Sequence, residues 1–86
     1  MNSVQTKLIK SIIESDILKD IDAGIKGFKE FTTIIRAIDT RDYPKIKVIA
    51  KINGHDENSK SIREIREYTI NTISWTIADT IIYELR

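Results

Sequence analysis

The chain has no cysteine, one proline, three glycines, one histidine and one tryptophan. Without cysteine there is no disulfide, no thiolate nucleophile and no zinc–cysteine site. His55 alone cannot supply the two or more imidazoles that a cysteine-free zinc site wants. The run His55-Asp56-Glu57-Asn58 also lacks the alternating oxygen ligands and turn glycine of a calcium loop. No metal or cofactor is therefore expected, and residues 53–60, with their Asn-Gly turn signal, read as a solvated loop. No Gly-x-Ser-x-Gly turn presents a nucleophilic serine. The stretch Gly24-Ile25-Lys26-Gly27 lacks the longer glycine pattern and the Lys-Ser or Lys-Thr pair of a phosphate-cradling loop, so it reads as a connector. The carboxylate pairs Asp16/Asp20 and Asp39/Asp42 sit among lysines and arginines and read as solvated surface. Catalysis is thus not expected, nor is a small-molecule ligand.

Long apolar runs are missing too. Nothing approaches the eighteen residues of a membrane-spanning helix, and acidic Glu14 and Asp16 come too early for a secretory leader. The expectation is a cytoplasmic protein without a membrane partner. Fourteen basic against thirteen acidic residues give a formal charge of +1, so no whole-chain field draws the protein to polyanions. Eighty-six residues make a single domain, 1–86, with a thin core and a stability on the order of 5 kcal/mol.

What the chain has in excess is isoleucine, 19 residues against 3 leucines, a bias that fits an AT-rich source such as a low-GC bacterium or its phage. Its placement predicts the elements. Residues 3–22 lack glycine and proline, with Asn2 or Ser3 as N-cap and Gly24 just past the end. Ile9, Ile13, Ile17 and Ile21 form an i, i+4 ladder, the core side of a first helix. Residues 45–52 alternate, with Ile46, Val48, Ala50 and Ile52 opposite Lys45, Lys47, Ile49 and Lys51, as a half-buried strand does. Residues 28–38 suit either helix or strand. A strand at 45–52 needs a partner, and 31–38 is the nearest, through the turn-forming run 39–44 that ends in Pro44. An antiparallel hairpin follows.

The final third, 61–86, opens on Ser61-Ile62-Arg63-Glu64, which matches a capping box, and carries isoleucines three to five apart. It reads as a second helix, although 72–77 alternates and its β-branched residues favour a strand. The expected fold is therefore α+β, helix–strand–strand–helix, an antiparallel hairpin packed against two helices, with a mostly α arrangement as the alternative.

Two surfaces stand out. Tyr68, Trp75 and Ile82 recur every seven residues and would form a second apolar seam along the last helix, a protein–protein contact. The hairpin holds the basic excess: eight basic and five acidic residues between 25 and 60. Lys45, Lys47 and Lys51 share one side, with Arg36, Arg41 and Tyr43 nearby, as a nucleic-acid contact would use them. Lysines on a strand also serve simply to prevent edge-to-edge aggregation. The leading expectation is a non-enzymatic protein-binding module, either a self-associating assembly subunit or a small inhibitor or adaptor of a larger machine, of phage or mobile-element type. The alternative is a nucleic-acid-binding module using the basic hairpin.

Overall fold

The structure, a computed structural model, describes residues 2–24 and 27–85, the last two by backbone alone. It contains one helix, α1 (Ser3–Asp22), and four strands, β1 (Glu30–Asp39), β2 (Lys45–His55), β3 (Ser61–Asn71) and β4 (Thr76–Leu85). The strands form one antiparallel sheet in the order β1-β2-β3-β4. The protein is α+β, as expected.

Helix α1 begins and ends where its sequence signals lie. The Asn2 side chain accepts from the Gln5 backbone N–H at 2.9 Å, and the Gln5 side chain accepts in return from the Asn2 backbone. At the far end, Gly24 takes φ +72°, a left-handed conformation that glycine adopts without steric cost. Of the connector 24–27, residues 25 and 26 lie outside the described residues. Ile9, Ile13 and Ile17 are fully buried and Ile21 packs beside them, so the ladder is the helix's core side.

The β1–β2 hairpin is also present. Phe28 packs into the core just before β1, and the register runs from Glu30↔His55 to Asp39↔Lys47, with a bulge between Ile35 and Ala37. Ile46, Val48, Ala50 and Ile52 all point inward and are fully buried. Gly54 sits where β1 passes closest: a Cβ there would collide with the Glu30 carbonyl and lie 2.7 Å from the Phe28 ring.

The second helix is not there. Residues 61–71 and 76–85 are β3 and β4, joined by a turn at 72–75, so the helix–strand–strand–helix order and the mostly α alternative are both corrected. The Ser61–Glu64 match caps nothing, because Ser61 opens a strand paired with His55. The physical reason lies in β3. Ile62, Glu64, Arg66, Tyr68 and Ile70 all face α1, and Glu64, Arg66, Tyr68 and Ile70 are buried. This is a strict period of two, but two of its buried positions are charged, so the apolar residues alone do not reveal it. In β4 a bulge opposite Thr69/Ile70 breaks the alternation.

Turns hold the strand ends. In the β2–β3 turn the Asp56 carboxylate accepts from the Asn58 and Lys60 backbone N–H groups, both at 2.9 Å. That gives the polar loop a structural use for its first acid. In the β3–β4 turn the Thr72 N–H donates to the Pro44 carbonyl at 2.9 Å, tying this turn to the β1–β2 turn.

Candidate interaction surface

One helix cannot cover four strands. Strands about 4.8 Å apart make this sheet roughly 15–19 Å wide, whereas a helix with its side chains is about 10–12 Å across. The register and burial show where α1 falls: β2 and β3 are buried on the inner face, while Ile82 on the inner side of β4 stays 39% exposed. Beside it runs an open groove of about 540 Å³ lined by Ser11, Ile12, Ser15, Asp16 and Lys19 of the helix with Trp75, Thr76 and Ile77.

Between helix and sheet lies a buried polar cluster. The Arg66 guanidinium is fully buried and donates from Nε to Glu64 Oε1 at 3.0 Å and from a terminal nitrogen to the Tyr68 hydroxyl at 3.1 Å. Tyr68 in turn donates to Asp16 Oδ2 at 3.1 Å. Asp16 and Asp20 both approach the guanidinium, at 3.4 and 3.6 Å. Burial pulls Arg66 toward the neutral form, but its bonds to Tyr68 and Glu64 more than offset that and hold it charged. Burial, reinforced by the Asp16 charge, pushes the Tyr68 hydroxyl well above the ordinary phenol range despite the opposing pull of Arg66. Asp16 and Asp20 are therefore not merely solvated surface. They pin the helix to β3.

The outer face mixes apolar and charged residues. The register places Ile34, Lys51, Ile65 and Tyr83 side by side across the sheet, and beside them Ala37, Ile49, Glu67 and Ile81. No element of the described residues covers this face. Ile34 is 47% exposed, Ile81 43% and Tyr83 51%, with Ile49 and Ile65 half-buried between them. Lys51 and Glu67 interrupt these apolar residues, but so many on one open sheet face is unusual for a soluble monomer.

The residues expected from the sequence fall on both faces. Tyr68 is fully buried in β3 and its hydroxyl is engaged internally. Trp75 lies in the β3–β4 turn, half-buried against the core, at φ +55°, a conformation rare for a bulky side chain. Ile82 lies on β4 opposite Arg66. A spacing of seven lines residues up on a helix, not across two strands and a turn, so there is no helical seam. Lys45, Lys47 and Lys51 do share the outer side of β2, as read. Tyr43 is exposed in the β1–β2 turn and Arg36 sits exposed at the β1 bulge. Acids interleave with them, however. Lys47 lies 3.9 Å from Glu67, and Arg41 is forked onto Asp39 at 2.6 Å. The Arg41 side chain and then its backbone N–H hold the Asp39 carboxyl down at about 2.

The outer patch of Ile34, Ile49, Ile65, Ile81 and Tyr83 was missed by sequence reasoning. The signal that could have found it was the alternation of 61–71, which puts Ile65 on the side opposite Ile62 and Ile70. No helix among the described residues is long and apolar enough to cross a membrane. Comparison with family models, with curated proteins and with solved structures returned no match to this chain.

Proposed function

We propose that this protein is a non-enzymatic, cytoplasmic binding module that works by associating with further copies of itself through the outer face of its sheet. The observation that carries the reading is the uncovered patch of Ile34, Ile49, Ile65, Ile81 and Tyr83 on a sheet whose other face already has its helix. Sheets are stable as layers, and a second sheet is the natural cover for an apolar face. The charges favour a second copy as that cover. The two middle rows contain one lysine and one glutamate, Lys51 and Glu67, on adjacent strands. In a two-fold pair each copy offers a carboxylate for the other's ammonium. The nucleic-acid reading has less support, since Asp39 and Glu67 offset Arg41 and Lys47 within the basic stripe.

Light scattering over a dilution series tests this. The expected result is at least a dimer at micromolar concentration, dissociating on dilution. Ile34→Lys, at a position already half open to water, is expected to yield a smaller species with unchanged circular dichroism. A wild-type chain that stays monomeric at hundreds of micromolar would overturn self-association. Co-purification of that monomer with a larger protein would then favour the inhibitor or adaptor form.

A further inference from the structure

We infer that β4 pairs edge to edge, antiparallel, with β4 of a second copy, so that two chains share one eight-stranded sheet. This rests on the self-association reading but uses a different surface, the rim of the sheet rather than its face.

The sheet is a meander with two rims, β1 and β4, and each presents a row of backbone N–H and C=O groups with no strand of the described residues beyond it. The two rims are not alike. β1 carries Glu30, Arg36 and Asp39 and is bulged at Arg36, in mid-strand. Charge and a bulge are the usual means of keeping an edge from pairing. β4 has its bulge near the start, and from Asp79 to Leu85 it runs in unbroken register against β3. β4 carries Asp79 and Glu84, but the stretch between them, 80–83, has no charge.

Exposure points the same way. Ile81 and Tyr83 on the outer side of β4 and Ile82 on its inner side are 43%, 51% and 39% exposed. No face contact alone covers both sides of one strand. A neighbouring strand in the same sheet does, because its side chains flank those of β4 above and below.

The strand is also self-complementary. In an antiparallel pair the residues directly opposite point to the same face, so a two-fold β4–β4 contact must match odd with odd positions and even with even. Centred on Ile81, it sets Ile81 against its own copy and Ile82 against Thr80. Asp79 then meets Tyr83, a carboxylate beside a phenol, and not a second carboxylate. In that geometry the outer patches of the two chains also join at Ile81 and Tyr83 into one continuous stripe. An edge pair therefore enlarges the very face proposed to stack.

The absence of cysteine makes the test clean. Ile81→Cys introduces a single thiol, and cross-strand partners have Cβ atoms about 4.5–5.5 Å apart, within reach of a disulfide after a small adjustment. Mild oxidation of Ile81→Cys is expected to give mostly covalent dimer, while Ile34→Cys on β1, treated alike, stays largely monomeric. Hydrogen exchange gives a register-independent readout: amides of residues 79–83 should gain at least tenfold protection between low and high protein concentration, with no such gain in β1. Ile81→Cys in the Ile34→Lys background separates the two surfaces. Coupling that persists there supports edge pairing independently of the face. Concentration-dependent mass with neither disulfide coupling of the Ile81→Cys variant nor β4 protection would overturn the edge pair while leaving the face reading intact.

Discussion

Beneath α1 the middle of β3 brings Glu64 and Arg66 to full burial, whereas the opposite side of the same sheet leaves Ile34, Ile81 and Tyr83 about half open to water. Each face holds a few residues that elementary patterning assigns to the other: a charge pair within the inner core, and open apolar side chains among the outer lysines. On the inner face the charges are tolerable because the guanidinium reaches Glu64, Tyr68, Asp16 and Asp20 at once. A buried, paired charge cluster adds little net stability over an apolar filling, but it is directional. It sets where α1 lies along the sheet, which the ladder of similar isoleucines does not. On the outer face nothing plays that part. The difference separates a face finished within the chain from one that another surface completes.

The sharpest way to break this comparison is Arg66→Ala. It removes a buried cation that Glu64 and two further carboxylates approach, and a loss of about 3–5 kcal/mol is expected in urea unfolding. Glu64→Leu with Arg66→Met should recover most of that, and near-native stability with looser helix packing would show the cluster acting as a locator. If Arg66→Ala were as stable as wild type, the inner face would be no more specified than the outer.

Tyr68→Phe is next in size, at about 2 kcal/mol at neutral pH for the two hydrogen bonds that its hydroxyl makes, one from Arg66 and one to Asp16. Its pH dependence is the better test. The folded-state pKa of Tyr68 is raised, so the phenol's contribution is complete below the ordinary phenol range and lost as pH rises above it. Wild-type stability should therefore fall above about pH 10, and the phenylalanine variant should lack that part of the decline. On the outer side the smallest effect belongs to Asp39. Its pKa is lowered from 3.8 to about 2, so its contribution holds above that range and disappears as pH falls through about 2. The pair is exposed, so Asp39→Asn should scarcely change stability at neutral pH, and carboxyl chemical shifts would follow the titration directly.

Helix α1 and β2 were legible because in both the buried residues are the apolar ones; β1, whose buried residue is Thr33, followed only as the partner that β2 needs. Ile9, Ile13 and Ile17 mark a period near four, and Ile46, Val48, Ala50 and Ile52 a period of two. β3 was not legible because its alternation passes through Glu64 and Arg66, while Ile65 faces the open side. Counting apolar residues alone turns Ile62, Ile65, Ile70 and Ile73 into a helical stripe. The real period appears only if charged residues are allowed inside, and that requires knowing that Asp16 and Asp20, some fifty residues earlier, stand over Arg66. The heptad that joined Tyr68, Trp75 and Ile82 depended on the wrong element, since Tyr68 lies in the core on β3 and Ile82 on β4.

The order of the strands in the sheet is also their order along the chain, and every strand pairs with its neighbour in sequence. A chain built this way closes only short loops as it forms. Its β2–β3 hairpin, with eleven residue pairs across a turn of five residues, needs no distant segment before it begins. β1 and β4 can then zip onto either side, each onto a template already in place. Opening should reverse that sequence. β4 has a strand on one side only and little helix over it, so under native conditions it is the segment expected to detach first, and a copy seated against it would slow that step.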